Sequence, residues 1–438
     1  MKIKNQLLLG LLPLLLLAAC SPSQDAPDPE IQIATGIPAP SPTPTRLGAP
    51  DLSGEALQLP VICLESGLEE AQSSLEFQAF EDFVNYVNSG AGVFGAELEL
   101  HMVALSESVD EDGDREIESL SDLPGSIIIF CDHRTEKLVS PQLKELNILG
   151  IGRGVATWDL FTNEGPLFSQ NPLPESHLYY WINQMDQHWP SLRPLGASEA
   201  TRLAIFTDQA DLVSNLDLVD NNFNQIEIVY TPFLSNTPDQ DIFEFAYAVR
   251  DANANALFIH SDPIQAAALV NALNSLGLRE RIPIFLTATS AAGNFQDQVF
   301  LDTYLENIFV STSFPAWGSD EDILAGALAA QNPMVTSNNY IPYFLALNII
   351  DFAISALEEA LILESYPSID ATLLTNIIRE PNFAQSLMLN ENVEMLDSMQ
   401  TANQLQVLRF TEAGIGLDQY FESRNIFELE FTSDIEDE

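Results

Sequence analysis

From residue 57 onward, short apolar runs alternate with stretches in which apolar residues return every three or four positions. "LQLPVICL" (57–64) predicts a buried strand, and Phe80, Phe83, Val84 and Val87 mark one face of a helix ending near Gly90. "AELELHMVAL" (96–105), "SIIIFCD" (126–132) and "NILGIG" (147–152) predict further strands, with a short helix from about Lys137 between the last two. Strands separated by helices of this length imply right-handed crossovers and a mostly parallel sheet covered on both faces. The rhythm then repeats. "TRLAIFTD" (201–208), "QIEIVYTPF" (225–233), "ALFIHSD" (256–262) and "IPIFLTA" (282–288) predict strands, and Ile242, Phe245, Ala246 and Val249 mark a helical face between them. The remainder comprises "NIFVSTSFP" (307–315), a long helix from about Tyr340 to Leu363, and late strands "QLQVLRF" (404–410) and "IFELEFT" (426–432). It is too small for a third domain and completes the first two. The fold class is therefore α/β, with two doubly wound parallel-sheet lobes.

The N-terminus follows a different pattern. "LLLGLLPLLLLAAC" (7–20) is shorter than the ~20 apolar residues that span a membrane, and Lys2 and Lys4 precede it. Residues 1–19 read as a signal peptide that stops at Cys20. Leu17-Ala18-Ala19-Cys20 resembles a bacterial lipobox, which implies lipidation of the Cys20 thiol, with acyl chains such as palmitate, and a membrane held through that anchor only. Residues 20–56 form a tether: eight prolines fall between 21 and 55, with no helical or strand period. In a polyproline-like state it would reach about 100 Å.

Length and charge narrow the classes. The chain has 438 residues, 46% of them hydrophobic, enough for two sizeable cores. Its 64 acidic and 16 basic residues give a formal charge of −48, which leaves nothing to neutralise phosphates and excludes nucleic acid as a partner. Gly150, Gly152 and Gly154 invite a dinucleotide reading, but the third glycine of G-x-G-x-x-G falls on Val155 or Thr157. Neither a Walker lysine motif nor a G-x-S-x-G elbow occurs, and the five histidines have no metal-ligand spacing, so the sequence calls for no enzyme, cofactor or metal.

The ordered elements resemble the type I periplasmic binding proteins, in particular the branched-chain amino acid-binding branch. "FVNYVNSGAGVFGAELELHMV" (83–103) is similar to that family's first helix and second strand, and "GRGVATW" (152–158) to its loop of small residues ending Ala-Thr. "NIFVSTSFP" resembles its hinge-return strand and "YFLALNIIDFAISALEEA" (343–360) its long Tyr-containing helix. The resemblance implies a multi-crossover hinge joining lobe 1 (57–188 with 312–398) to lobe 2 (189–311 with 399–438), with crossings near 185–195, 308–318 and 395–402. It also implies an extracytoplasmic solute-binding protein that delivers a small polar or amino acid-like ligand to an ABC permease. A sensory or regulatory binding module on the same fold is the alternative.

On the same resemblance, ligand contacts fall at Ser66, Asp132, Arg134, Ala156, Thr157, Ser261, Asp262 and Thr289. Ser66 also suits a helix N-cap. Asp132, His133 and Arg134 stand where the family presents serines to a ligand carboxylate; Arg134 offers a bidentate grip or pairs with acidic neighbours. Ala156 and Thr157 match best, since small residues let backbone N–H groups approach an anion. Trp158 walls the pocket or belongs to the core. "DQADLV" (208–213) lacks the family's aromatic and puts Leu212 near its place, and "TATSAAG" (287–293) lacks the acid that pairs an α-ammonium. Burying an ammonium without such a partner costs several kcal/mol, which argues against a free α-amino acid unless Asp262 or Asp132 serves. Cys63 and Cys131 end strands that are neighbours in a 2-1-3 order. A disulfide fits, but parallel neighbours often hold such pairs at poor geometry, which favours two buried thiols.

Overall fold

The computed structural model describes residues 49–106, 120, 125–156, 158–161, 165–193, 198–207, 212, 226–230, 242–292, 295–299, 307–314, 316–317, 323–380, 382–383, 387–389, 404–411, 414–417 and 424–425. The signal and Cys20, Thr157 and "IFELEFT" lie outside them, as does all of "DQADLV" except Leu212.

Two sheets form. The first comprises β1 (Ala56–Leu64), β2 (Glu97–Leu105), β3 (Ile127–Phe130), β4 (Leu149–Ile151) and β5 (Leu167–Phe168), all parallel, in the order β2-β1-β3-β4-β5. The second comprises β6 (Thr201–Thr207), β7 (Ile226–Tyr230), β8 (Ala256–His260), β9 (Ile284–Thr287), β10 (Ile308–Thr312), β11 (Gln404–Thr411) and β12 (Gly414–Leu417). Their order is β12-β11-β10-β9-β8-β6-β7, with β13 (Arg424–Asn425) paired to β11. Strands β6 to β10 are parallel; β11 runs antiparallel to β10 and β12.

Side-chain parity explains why the inner strands read as unbroken apolar runs: both of their faces are covered, whereas the edge strand β2 keeps exposed positions at Glu97, Glu99 and His101. In the first sheet Val61, Cys63, Ile127 and Ile129 pack with Phe80 and Phe83, while Ile62, Leu64, Ile128 and Phe130 pack with Val139 and Leu143. The helix Leu75–Ser89 supplies the first of these covers. Ser74 caps it by accepting from the Phe77 N–H, and its buried stripe is Phe77, Phe80, Phe83, Val84 and Val87.

The second cover is the helix Tyr340–Leu363, which is long and apolar enough to cross a membrane by length and composition alone. Its apolar window is wholly buried within the protein. Asp351 is fully buried in it and remains satisfied, accepting from the Met388 and Leu389 N–H groups at 3.1 and 2.9 Å.

The chain passes between sheets three times. It leaves β5 and enters the helix Pro174–Leu192, whose Leu178, Trp181, Ile182 and Met185 pack on Leu203, Phe258 and Phe285 of the second sheet. This helix is on the second lobe by His177, which meets Ser311 of β10 at 2.6 Å, so the first passage falls upstream of 185–195. The second passage follows β10 and leads to the long helix. The third follows the helix Ala371–Ile378 and returns to β11.

Cys63 and Cys131 form a disulfide with Cα atoms 5.4 Å apart, in place of the favoured pair of thiols. They stand one step beyond the paired residues Ile62 and Phe130, and Cys131 has already left β3, so it is not held to ladder geometry.

Candidate functional site

A parallel sheet gathers its loops at the carboxyl ends of its strands, beside helix N-termini that carry unpaired N–H groups. In this chain those ends meet across the lobes. Asp132 follows β3 and caps the helix His133–Val139, accepting from the Thr135 N–H at 2.6 Å. Asp262 follows β8 and caps the helix Pro263–Ser275, accepting from the Ile264 N–H at 2.7 Å. Its other oxygen lies 2.6 Å from His133 Nε2, an ion pair that joins lobe to lobe. Burial alone would discharge the His133 imidazolium, but the hydrogen bond and charge of Asp262, with Asp132 beside it, outweigh burial and Lys137, so the proton is held more tightly. Asp262 is correspondingly lowered: burial opposes its charge, and His133 and the two cap N–H groups prevail.

The loop after β4 is the anion-binding nest that the sequence suggested, and the chain fills it itself. Glu136, fully buried, accepts from the N–H groups of Arg153 at 2.6 Å, Val155 at 3.0 Å and Ala156 at 3.2 Å. The glycine spacing follows from this. A Cβ on Gly152 would lie 2.7 Å from Glu136 Oε1, and Gly154 turns the loop at φ +78°. Burial raises the Glu136 carboxyl, against the pull of the amides and of Arg153. Arg153 is engaged elsewhere, donating to the Phe130 and Cys131 carbonyls and to Glu76 at 2.7–2.9 Å. The N–H of Ala156 is therefore committed to Glu136.

Ser66 and Arg134 pair with each other at 3.3 Å on an exposed rim. Ser66 lies inside the 3-10 turn Glu65–Gly67; the next helix is capped by Gly67, so Ser66 is not its N-cap. Ser261 donates its N–H to Ser290 Oγ, which returns a bond to the Ser261 carbonyl. Thr289 is buried in the turn Ala288–Ala291, and Leu212 belongs to the core beneath the helix Pro174–Leu192.

A second polar group at the first passage was not visible from spacing alone. Asn171 Oδ1 accepts from Ser313 Oγ at 2.9 Å, tying the first passage to the second. Trp181 donates to Ser311 Oγ at 3.1 Å, on the residue that His177 also meets. Burial and the nearby His260 push the His177 pKa down to about 3, so it is neutral. The only sequence signal was the polar run "SQNP" (169–172) between a buried strand and a helix.

No protein-family model matches the chain, and no curated protein does. Solved structures do. A fatty acid ABC transporter substrate-binding protein from Thermomonospora curvata aligns over 86% of this chain and 94% of its own at TM-score 0.60 and 13% identity. An R. palustris solute-binding protein in complex with 4-hydroxybenzoate gives 85%, 97%, 0.60 and 12%. A branched-chain amino acid transporter substrate-binding protein from Streptococcus pneumoniae in complex with isoleucine gives 83%, 99%, 0.56 and 11%. At these identities the likeness shows the fold: two lobes of the type I periplasmic binding kind.

Two outcomes follow from this geometry. Glu136→Ala strands three amide donors and should lower the unfolding free energy by about 3 kcal/mol. Added formate should raise the melting temperature of the variant but not of the wild type; equal responses would show that the nest does not select a carboxylate. The His133–Asp262 pair contributes fully below about pH 6.5, the ordinary imidazole value, and fades as pH rises through the higher value of the closed form. At the acid end it is lost only as pH falls through the lowered Asp262 value. Small-angle scattering should give a larger radius of gyration at about pH 9 than at about pH 6, and His133→Ala the larger radius at both; a constant radius would show that the pair does not hold the lobes.

Proposed function

We propose that this chain, which has the fold of the type I periplasmic binding proteins, is a lipid-anchored extracytoplasmic solute-binding protein of an ABC importer. Its two lobes close on a small polar or amino acid-like ligand and present it to a membrane permease. The observation that carries this reading is the ion pair His133–Asp262, which joins the carboxyl end of β3 in the first sheet to that of β8 in the second. A cleft of that construction couples ligand binding to lobe closure, a change of shape that a partner can read. Asp132, Ser261, Asp262 and Thr289 remain the proposed contacts of the facing ends, with Ser66 and Arg134 at the rim, and Thr157 stays a proposed contact from the sequence alone. Cys20 is the proposed site of the lipid anchor.

The alternative, a ligand-sensing module on the same fold, is not favoured by the solved structures the chain resembles; Glu136, which occupies amides that would otherwise receive an anionic solute, bears on the ligand's charge and not on this choice. A permease gene beside this one supports import, and a sensor kinase gene in its place supports sensing.

The test uses the chain from residue 49, titrated with amino acids, small carboxylates, sugars and amides while intrinsic fluorescence and melting temperature are followed. Trp317, tilted against Tyr340 and Phe344, and Trp181, against Ser311, report on the passages. A ligand at a hundred times its Kd adds about 2.7 kcal/mol of stability. Silence across the panel overturns the solute-binding reading. The anchor is tested in the full chain, where Cys20→Ser should move the protein from the membrane to the soluble fraction.

A further inference from the structure

The first passage carries polar groups that the folded protein leaves unanswered. Gln170 is 1% exposed, and neither Nε2 nor Oε1 has a partner within the protein. Asn171 Nδ2 and Ser176 Oγ are equally buried and equally unpartnered. Each such atom costs about 1–3 kcal/mol, and native structures hold few of them. Here four fall within seven residues.

Their place in the fold is specific. Gln170 and Asn171 follow β5 at its carboxyl end, and Asn171 is tied to Ser313, just past the carboxyl end of β10. The same segment packs on the β4 loop, where a Cβ on Gly154 would lie 3.2–3.5 Å from the Pro172 and Asn171 carbonyls and Ser169 Oγ. Gln170 and Asn171 therefore lie where both sheets end and two passages touch, and Ser176 follows in the first turn of the next helix. Closed lobes shut these atoms away from water.

We infer that Gln170, Asn171 and Ser176 form a ligand subsite for an uncharged group bearing both hydrogen-bond donors and acceptors, a carboxamide or a set of hydroxyls. The inference rests on the solute-binding reading and narrows its ligand. Amide and hydroxyl side chains offer donors and acceptors together, which suits a neutral polar group. Among the described residues, the two groups nearest this loop that would suit a carboxylate are engaged: Arg153 donates to Glu76 and two carbonyls, and the nest is filled by Glu136.

The test compares glucose, xylitol, urea and propionamide with leucine, glutamate and 4-hydroxybenzoate, using melting temperature and calorimetry on the chain from residue 49. At least one neutral compound should bind, and Gln170→Leu should weaken it by about tenfold or more. Without ligand, Gln170→Leu should melt at or above the wild type, because an apolar group of similar size replaces two orphan atoms. Ser176→Ala provides a second variant with the same expectation should Gln170→Leu fail to fold. Binding of leucine, glutamate or 4-hydroxybenzoate with equal affinity in wild type and both variants overturns the inference and leaves the solute-binding reading standing. A ligand-free loss of stability in both variants also overturns it, by showing that these atoms are already satisfied. No response to any compound overturns both.

Discussion

The helix Tyr340–Leu363 is the constraint from which the rest of the architecture follows. It packs on the helix Leu75–Ser89 and on strands β3 and β4 of the first sheet, while the strands before and after it, β10 and β11, belong to the second. Burying that helix on the first lobe thus forces two of the three passages between lobes. Its all-round apolar surface is affordable only because protein covers every face, including the Ala288–Ala291 turn of the second lobe. The seam between lobes is therefore apolar behind and polar in front.

The polar front determines what closure can mean. Asp132 and Asp262 each spend one oxygen on capping a helix, so their positions are fixed before the lobes meet. The one remaining Asp262 oxygen faces His133, and the pair is about one-quarter exposed on each side. An ion pair so placed contributes modestly and selectively: it favours the closed arrangement without overwhelming a ligand's own contribution.

Strands and helices were legible because the sheets are covered on both faces, and a doubly buried strand writes itself as an apolar run. "SIIIFCD" and "ALFIHSD" are such runs; the 2-1-3 order at β1 to β3 is the one the structure has, although the crossover rule fixes only the hand of the connections. The stripe Leu178–Trp181–Ile182–Met185 shows that a helix is amphipathic without saying which sheet it covers, which is why the first passage lies earlier than its expected place. The cysteine pair was misjudged for a similar reason. Strand adjacency was correct, but the departure of Cys131 from the ladder depends on where β3 stops, and sequence locates ends poorly. Glu136 was hidden by its setting: in "HRTEKLV" a glutamate among charged neighbours reads as a solvated position. Only the glycines of "GIGRG" hinted that something must approach that loop closely.

That hint changes how likeness of fold bears on ligand. A nest of amides at the end of a parallel strand is a general solution for anions, and the fold supplies it whether or not an anion is the cargo. Here the fourth residue past the Asp132 cap, Glu136, places a carboxylate into it, and Gly152 leaves the space that carboxylate needs. The architecture is thereby retained while its most general binding device is consumed internally. On the inference drawn above, neutral side chains at the passages add to selectivity there, where Asn171 and Ser313 already couple the two segments.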